Sequence, residues 1–305
     1  MVTAPTPSSP GSGATFSSRT EPAARAGRDG RLGLVFESRD GRTVLTGRRF
    51  TLPLQALEPM DLTGDGSATL LLLNPTGGVL GGDRLESHVS LGPGSRVCLS
   101  TPSATRVYRS PGHAAIQRVS ITLGAGATLE WLPDHLIPSP GARLRQVTEV
   151  AMAPGATLLY LDAWATGRVA RGEAWGFDLL DTSLLVRDET GPLLRERAIL
   201  TGGLPPDGLG GTEGFGYVAT FVAVRAAGAA PEVGRLWDDL GGALGDDLAA
   251  VAPQCRAGVT TLGRGGLLAR LLCPSAPMLS ACVAALWTRC RHRLLGLEPL
   301  ALRKL

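Results

Sequence analysis

The chain has 305 residues, of which 44% are hydrophobic and 19% are charged, as is ordinary for a folded globular protein. Its net charge is only +3 and its basic residues are scattered, which argues against nucleic-acid binding. No segment approaches the ~20 apolar residues of a membrane span, and residues 1–30, rich in Pro, Ser, Gly, Thr and Ala, lack the apolar region of a signal peptide. We therefore expect a disordered tail over residues 1–30, one domain over residues 31–305, no membrane partner and a cytoplasmic location.

The first predicted element is a β-hairpin. Asp40-Gly41 stands between two apolar runs, Leu32–Phe36 and Thr43–Leu45. Asp-Gly in that setting is typical of a two-residue hairpin turn.

A glycine-rich segment follows, Asn74-Pro-Thr-Gly-Gly-Val-Leu-Gly-Gly-Asp83. Four glycines within six positions indicate turns with positive φ or a close backbone approach. A phosphate-binding loop would need a lysine and a following helix, but no lysine follows and residues 86–91 have the pattern of a strand. The segment therefore lacks the features of a nucleotide site.

A weak internal repeat predicts the central architecture. Residues 91–99, 123–131 and 152–160 align at spacings of 32 and 29 residues, and each reads as strand, turn, strand. Pro93-Gly94 and Pro154-Gly155 suit type II turns, and the apolar residues around them alternate with polar ones. We expect stacked β-hairpins that form a β-solenoid or a layered sandwich.

The β pattern continues through Trp175–Leu179, Leu193–Leu200 and Tyr217–Val224, and helical patterns appear only late in the chain. Residues 231–240 predict a short helix with a proline in its first turn. From Ser275 to Leu294, apolar residues recur at three- and four-residue steps, which predicts an amphipathic helix of about five turns. The predicted fold is mainly β with two helices, one of them C-terminal.

The five cysteines do not predict a reactive or metal-binding site. They form no C-x-x-C pair, which favours free thiols in a reducing compartment. Cys282 and Cys290 fall on the apolar face of the last helix, and Cys273, Cys282, Cys290 and His292 lack zinc-finger spacing. We expect Cys282 and Cys290 to be core residues, and we expect neither a thiolate cluster nor a structural zinc. A Gly-x-Ser-x-Gly nucleophile motif is also missing.

Acidic and imidazole side chains near the repeats are the candidate polar site. They are Asp83, Glu130, Asp134, His135, Asp162 and Glu173. Most carboxylates in such positions are solvated or cap turns, but Asp83 lies among glycines and beside an arginine, so both interpretations stay open for it. Arg106, Tyr108 and Arg109 follow a run of Ser and Thr, and they predict either a partner-binding edge or a plain exposed strand.

Taken together, the ordered segments resemble the urease accessory protein family UreD, called UreH in some species. The resemblance rests on the glycine-rich segment, on Thr101-Pro-x-Ala-Thr-Arg-x-Tyr-Arg109, on Glu130-Trp-Leu-Pro133, on Gly167-Arg168 with Arg171-Gly-Glu173, and on the C-terminal Pro274-Ser275, Leu286-Trp287 and Leu294-Leu-Gly296. It runs from about residue 30 to the end. Arg106 and His135 replace the lysine and glutamate that are common in the family.

The resemblance implies a chaperone-like scaffold, not an enzyme. Such proteins bind urease apoprotein and the accessory protein UreF, are joined by the GTPase UreG, and assist nickel insertion into urease. It also implies a mainly β fold with two helices and no tightly bound cofactor, only transient Ni²⁺. On this basis we expect a nickel path among Asp83, Glu130, Asp134, His135 and Glu173, and partner binding by Arg106, Tyr108 and Arg109.

Two other functions remain open. One is a β-solenoid glycan hydrolase that uses paired carboxylates in an open, aromatic-lined groove. An aromatic content of 5% counts against it. The other is a binding scaffold without any metal path.

Overall fold

The computed structural model describes residues 28–203, 208, 211–227 and 233–302. The predicted tail therefore lies outside the described residues except for positions 28–30, and the first strand begins two residues before the predicted domain boundary. In chain order, the strands are β1 Asp29–Arg39, β2 Arg42–Thr51, β3 Gln55–Ala56, β4 Ala68–Leu73, β5 Arg84–Leu91, β6 Arg96–Ser100, β7 Thr105–Val107, β8 Ala115–Leu123, β9 Thr128–Leu132, β10 Leu136–Pro138, β11 Arg143–Met152, β12 Thr157–Ala165, β13 Gly167–Arg168, β14 Glu173–Ala174, β15 Leu179–Asp188, β16 Gly191–Thr201, β17 Tyr217–Arg225, β18 Arg256–Leu262 and β19 Gly266–Cys273.

In the described part of the chain, two α-helices accompany these strands, α1 Val233–Val251 and α2 Ala276–Cys290. The second is continued by a π-helical turn over Arg291–Leu295 and ends at Gly296 in the left-handed conformation. Within the described residues, neither helix is long and apolar enough to cross a membrane.

Most strands belong to two large sheets. The first has the order β16-β15-β11-β8-β5-β1-β2, in which the five central strands are parallel and each end is closed by an antiparallel strand. The second has the order β18-β19-β17-β12-β9-β6-β4-β3, and β4, β6, β9 and β12 are parallel to one another. Antiparallel strands complete its two ends.

Each predicted repeat is one coil of a β-solenoid. Leu91 pairs with Leu123, which pairs with Met152, so the register of the first sheet reproduces the sequence alignment. The turn glycines of the three coils, Gly94, Gly126 and Gly155, all have φ between 64° and 74°. The two strands of a coil lie in different sheets and pair with the equivalent strands of neighbouring coils. The solenoid-like stacking is thus confirmed, and its units are arches between sheets.

The predicted β1–β2 hairpin is also present. Asp40 and Gly41 have φ values of 50° and 76°, and the two strands pair as antiparallel neighbours. Positive φ at both central positions is what a type I′ turn requires, so Asp-Gly is the local cause of this hairpin.

Two apolar regions form the bulk of the core. One fills the solenoid interior between the sheets, and the other lies between the outer face of the second sheet and the two helices. Strand β12 serves both, because Leu158 and Tyr160 face the interior while Leu159 and Leu161 face the helices. A strand covered on both faces is apolar almost throughout, as β9 and β12 are.

The late elements differ in part from their predictions. Helix α2 begins as predicted after Ser275, whose side chain caps the Met278 N–H at 3.4 Å. Helix α1 extends 11 residues beyond the predicted end at Leu240, and the predicted residues 231 and 232 lie outside the described part. Of the predicted strand over Trp175–Leu179, residues 175–178 form a loop in which Trp175 has φ of 60°, and Leu179 begins β15. The β18–β19 hairpin was not predicted.

Candidate functional site

The solenoid interior contains a polar layer between apolar clusters. On the inward face of β11, Gln146 and Thr148 lie between Leu144 and Val150. The neighbouring strands add Gln117 and Thr182, which stand in register on either side of Gln146. Because strand side chains alternate between faces, these polar groups are directed inward by the same period that buries the leucines.

Asp162 supplies the negative charge of this layer. It lies on β12 between the inward-facing Tyr160 and Trp164, and its carboxyl hydrogen-bonds with the side chains of Thr182 and Gln146. Burial raises the pKa of Asp162 to about 6, although its hydrogen bonds act in the opposite direction. The carboxyl therefore gives up its proton at a higher pH than an exposed aspartate does.

A cavity of about 170 Å³ adjoins the polar layer. Its lining includes Asp162 and Asp134, and the glycine-rich segment borders it through Gly77 and Gly78. One buried polar atom of its lining residues, Oε1 of Gln117, has no hydrogen-bond partner within the described part of the chain. Buried polar atoms normally pair with protein or water, so this region favours polar or ionic contents.

A second concavity, of about 420 Å³, lies beside α2. It is bordered by Asp134 and His135 after β9 and by Leu279, Val283 and Trp287 of the helix. Asp134 and its neighbour Pro133 border both this groove and the interior cavity.

His135 packs its ring edgewise against Tyr217, with 5.5 Å between ring centroids. Asp134 and His135 therefore both border the groove, and Asp134 also borders the interior cavity.

Asp83 has a structural contact inside its own loop. It is 3% exposed, and the backbone N–H of Leu80 donates to its carboxylate at 2.8 Å. Burial raises the pKa of Asp83, while the Leu80 hydrogen bond and the charge of Arg28 lower it. Asp83 closes the glycine-rich segment and is not among the residues that line the interior cavity.

Glu130 faces the helical layer. Its carboxylate accepts a hydrogen bond from Trp287 Nε1 and pairs with Arg291 Nη1 at 2.5 Å. Burial raises the pKa of Glu130, and Arg291 and Trp287 oppose that shift. Both members of the ion pair are almost fully buried, so they join β9 to the end of α2.

Glu173 lies at a third place, in the small β13–β14 ladder. Its carboxylate pairs with Arg168 Nε at 2.5 Å, and both side chains are about one-third exposed. Asp83, Glu130 and Glu173 are therefore not gathered with Asp134 and His135.

Arg106, Tyr108 and Arg109 lie next to the glycine-rich segment. The Val79 N–H donates to the Arg106 carbonyl, and the Tyr108 N–H donates to the Val79 carbonyl, each at 2.8 Å. A Cβ on Gly78 would lie 2.5 Å from the Arg106 carbonyl oxygen, which explains why glycine stands there. The Arg106 and Arg109 side chains are exposed, as partner binding would require.

The cysteines correct one prediction. All five are free thiols, as expected, but Cys255, Cys273 and Cys282 form a cluster that sequence spacing did not reveal. A hydrogen bond from Cys273 lowers the pKa of Cys282 to about 7 even though burial raises it. The expectation of no thiolate cluster is wrong because the fold, not local spacing, brings these residues together.

The nickel path predicted from the sequence omits Asp162, although this residue is among the acidic groups near the repeats. Its position in an otherwise apolar stretch, Leu158 to Ala165, was the available sign. A carboxylate at an inward position of a buried strand is costly unless it is paired or functional.

Comparison with known proteins places the chain in a family. Residues 28–304 match the family model described as UreD urease accessory protein. The chain is 35% identical over 274 residues to the urease accessory protein UreD of Alkalilimnicola ehrlichii, with 88% of each chain covered. It is 35% identical over 285 residues to that of Deinococcus radiodurans, with 92% of this chain and 96% of the relative covered. With that of Ralstonia nicotianae it shares 35% identity over 282 residues, covering 89% and 92%.

Proposed function

This chain belongs to the UreD family of urease accessory proteins, which have a role in urease maturation, and we propose that it is a scaffold rather than an enzyme. In this proposal it binds urease apoprotein together with UreF, and the GTPase UreG joins the complex in the cytoplasm. Nickel is the cargo, held only transiently on its way to the urease centre.

The observation that supports a nickel route is the Asp162 carboxyl beside an internal cavity. Its surroundings offer carboxylate, amide and hydroxyl groups, which hold Ni²⁺ less strongly than a thiolate cage would. A conducting path needs sites that bind the ion favourably and still release it. The oxygen ligands in this partly apolar cavity are suited to such transient binding.

The proposed route runs from Asp162 to Asp134 and leaves through the groove beside His135. Asp134 is central because it borders both spaces. Asp83, Glu130 and Glu173 stay predictions as nickel ligands, and their contacts with Leu80, Arg291 and Arg168 favour structural roles. The exposed Arg106 and Arg109 remain candidates for partner contact.

Reconstituted urease activation tests the route. Asp162→Asn keeps the side-chain shape but removes the charge, so we expect roughly tenfold slower nickel incorporation, the scale of losing one polar group at a metal site. Nickel content of urease is measured after incubation with UreF, UreG, GTP and Ni²⁺. Glu149→Gln, an exposed carboxylate on the outer face of β11, is the matched control and should activate normally.

Pull-down of urease apoprotein and UreF by each variant separates the two parts of the proposal. If both Asp162→Asn and Asp134→Asn bind these partners and support normal nickel incorporation, the nickel route is excluded. The scaffold function would then stand alone. Failure of the native chain to capture either partner would overturn the scaffold as well.

The glycan-hydrolase alternative receives less support. Sugar-binding grooves are open and lined by aromatic residues, whereas Trp131 is the one aromatic side chain among the described residues that line the interior cavity. Incubation of the purified chain with glycans should release no reducing sugar.

A further inference from the structure

Three cysteine side chains from separate parts of the chain lie close together in the core between the second sheet and the helices. Cys255 lies in the turn between α1 and β18, Cys273 is the last residue of β19, and Cys282 lies within α2. Their Sγ atoms are all within 4.8 Å of one another. Cys273 and Cys282 are buried, while Cys255 is partly exposed.

The spacing of the sulfurs fits a shared metal ion. Zinc–thiolate bonds are about 2.3 Å long, so three thiolates of a tetrahedral site stand roughly 3.8 Å apart. Each pair of sulfurs here would need to close by about 1 Å or less to reach that arrangement. Rotation of a cysteine side chain about χ1 supplies movements of this size without displacing a strand.

The ligand set selects the kind of ion. Among the described residues, the cluster contains three sulfurs and no carboxylate or imidazole, and its neighbours belong to the apolar core between the second sheet and the helices. Thiolates without oxygen ligands favour Cu⁺ and Zn²⁺ over hard cations. This chemistry also separates the cluster from the interior cavity of the solenoid, whose ionisable lining groups are the carboxyls of Asp134 and Asp162.

We propose that Cys255, Cys273 and Cys282 form a three-thiolate binding site for a thiophilic metal ion, either Zn²⁺ or Cu⁺. The partly exposed Cys255 provides the entry side, where a water molecule can complete a four-coordinate zinc site. Three thiolates alone satisfy Cu⁺. The site departs from the sequence-based expectation that this protein holds no metal tightly.

A bound ion would join three parts of the chain. Cys255 follows α1, Cys273 ends a strand of the second sheet, and Cys282 belongs to the helix packed on that sheet. Because the folded protein binds the ion and the unfolded chain does not present the site, binding stabilises the folded state. The melting temperature should therefore rise with metal concentration.

Metal titration of the full chain, purified metal-free under a phosphine reductant, tests the proposal. Co²⁺ serves as the spectroscopic probe for the zinc arm, and we expect one equivalent to produce an intense sulfur-to-cobalt charge-transfer band that Zn²⁺ abolishes. In the anaerobic Cu⁺ arm, a chromogenic Cu⁺ chelator should lose one equivalent of copper to the protein. Tight binding in the Co²⁺ and Zn²⁺ titration identifies a zinc site, and tight binding in the Cu⁺ titration identifies a copper site.

Alanine variants assign the ligands. Cys255→Ala and Cys282→Ala should each weaken binding by roughly tenfold or more, because one of three ligands is lost. Cys290→Ala, in the same helix but outside the cluster, should bind as the native chain does. Cys255 is partly exposed, so its variant is expected to keep the native circular dichroism spectrum and to stay informative even if Cys282→Ala unfolds.

Two results would overturn the proposal. One is a native chain that binds none of the ions Co²⁺, Zn²⁺ and Cu⁺ at one equivalent. The other is a folded Cys255→Ala variant with native affinity, since the half-buried thiol would then not be a ligand.

Discussion

Asp162 shows how one residue can oppose the stability of the fold that contains it. Its carboxyl is enclosed between two sheets, and burial raises its pKa to about 6. Ionisation is therefore less favourable in the folded protein than in the unfolded chain, where an aspartate titrates near 3.9. A group that costs stability at neutral pH is expected to serve function, as stability and function often compete at polar sites.

The pH dependence follows from that raised pKa. Between about pH 4 and pH 6 the folded state binds more protons at Asp162 than the unfolded state does, so the stability from this group falls as pH rises through that window and levels off above it. Two pKa units correspond to about 3 kcal/mol. Asp162→Asn should therefore be more stable than the native chain at pH 7.5, by up to that amount, and equal to it near pH 4.

Urea denaturation at pH 4 and pH 7.5 measures this difference. Glu149→Gln is the control, because an exposed carboxylate should change the free energy of unfolding little at either pH. A variant Asp162→Asn that is destabilised at pH 7.5 would show that the ionised carboxylate is a net stabilising group.

At the scale of elements, the junction of β9 with α2 depends on one buried ion pair. Glu130 points to the helices because it alternates with Leu129 and Trp131, and Arg291 meets it from the π-helical turn. An arginine keeps its proton in proteins, so the carboxylate is its compensating charge. Trp287 donates a hydrogen bond to Glu130. Its ring centroid lies 5.6 Å from the guanidinium carbon of Arg291, in a cation–π contact.

Removal of one partner should be costly. Arg291→Met leaves Glu130 buried without a counter-charge, and we expect a loss of about 3–5 kcal/mol of unfolding free energy. Arg289→Met, two residues earlier, breaks a partly exposed pair with Asp247 and should cost about 1 kcal/mol or less. The double variant Glu130→Leu with Arg291→Met should recover most of the loss in chemical denaturation. Equal losses for the two arginine variants would contradict this account.

At the scale of the whole molecule, the strands of the two sheets differ in how well they are shielded from solvent. Strands β9 and β12 have the solenoid interior on one side and the helical layer on the other. Strands β2 and β16 form the two edges of the first sheet and are largely exposed. Strand β2 carries three arginines and β16 carries two, and these charges discourage pairing with another chain.

Hydrogen exchange should follow this arrangement. Backbone amides of β9 and β12 are expected to exchange slowest and those of β2 and β16 fastest, because local opening is easier where few buried contacts hold a strand. Exchange measured by mass spectrometry on peptides from each strand tests the order. Protection of β16 equal to that of β12 would mean that the chain opens only as one unit.

Features that depend on residues close in the sequence could be predicted, and features that depend on contacts between distant residues could not. The coils were predictable because alternation and the glycine turns are local, and their register was visible in the aligned Leu91, Leu123 and Met152. The pairing of Glu130 with Arg291 and the meeting of Cys255 with Cys273 and Cys282 depend on how the helices dock, which spacing does not encode. Helix α1 was predicted too short because its glycines, Gly241, Gly242 and Gly245, are poor helix formers that packing overrides.

The parallel register of the coils has a consequence for how such a chain can change length. Deleting one residue from a strand such as β8 would turn all its inward side chains to the outside beyond that point, because strand side chains alternate with a period of two. Removing a complete coil would let β5 and β11 meet in the register they already share through β8. Viable insertions and deletions within the strands should therefore come in whole coils of about 30 residues, and smaller ones should gather in the loops that join the sheets.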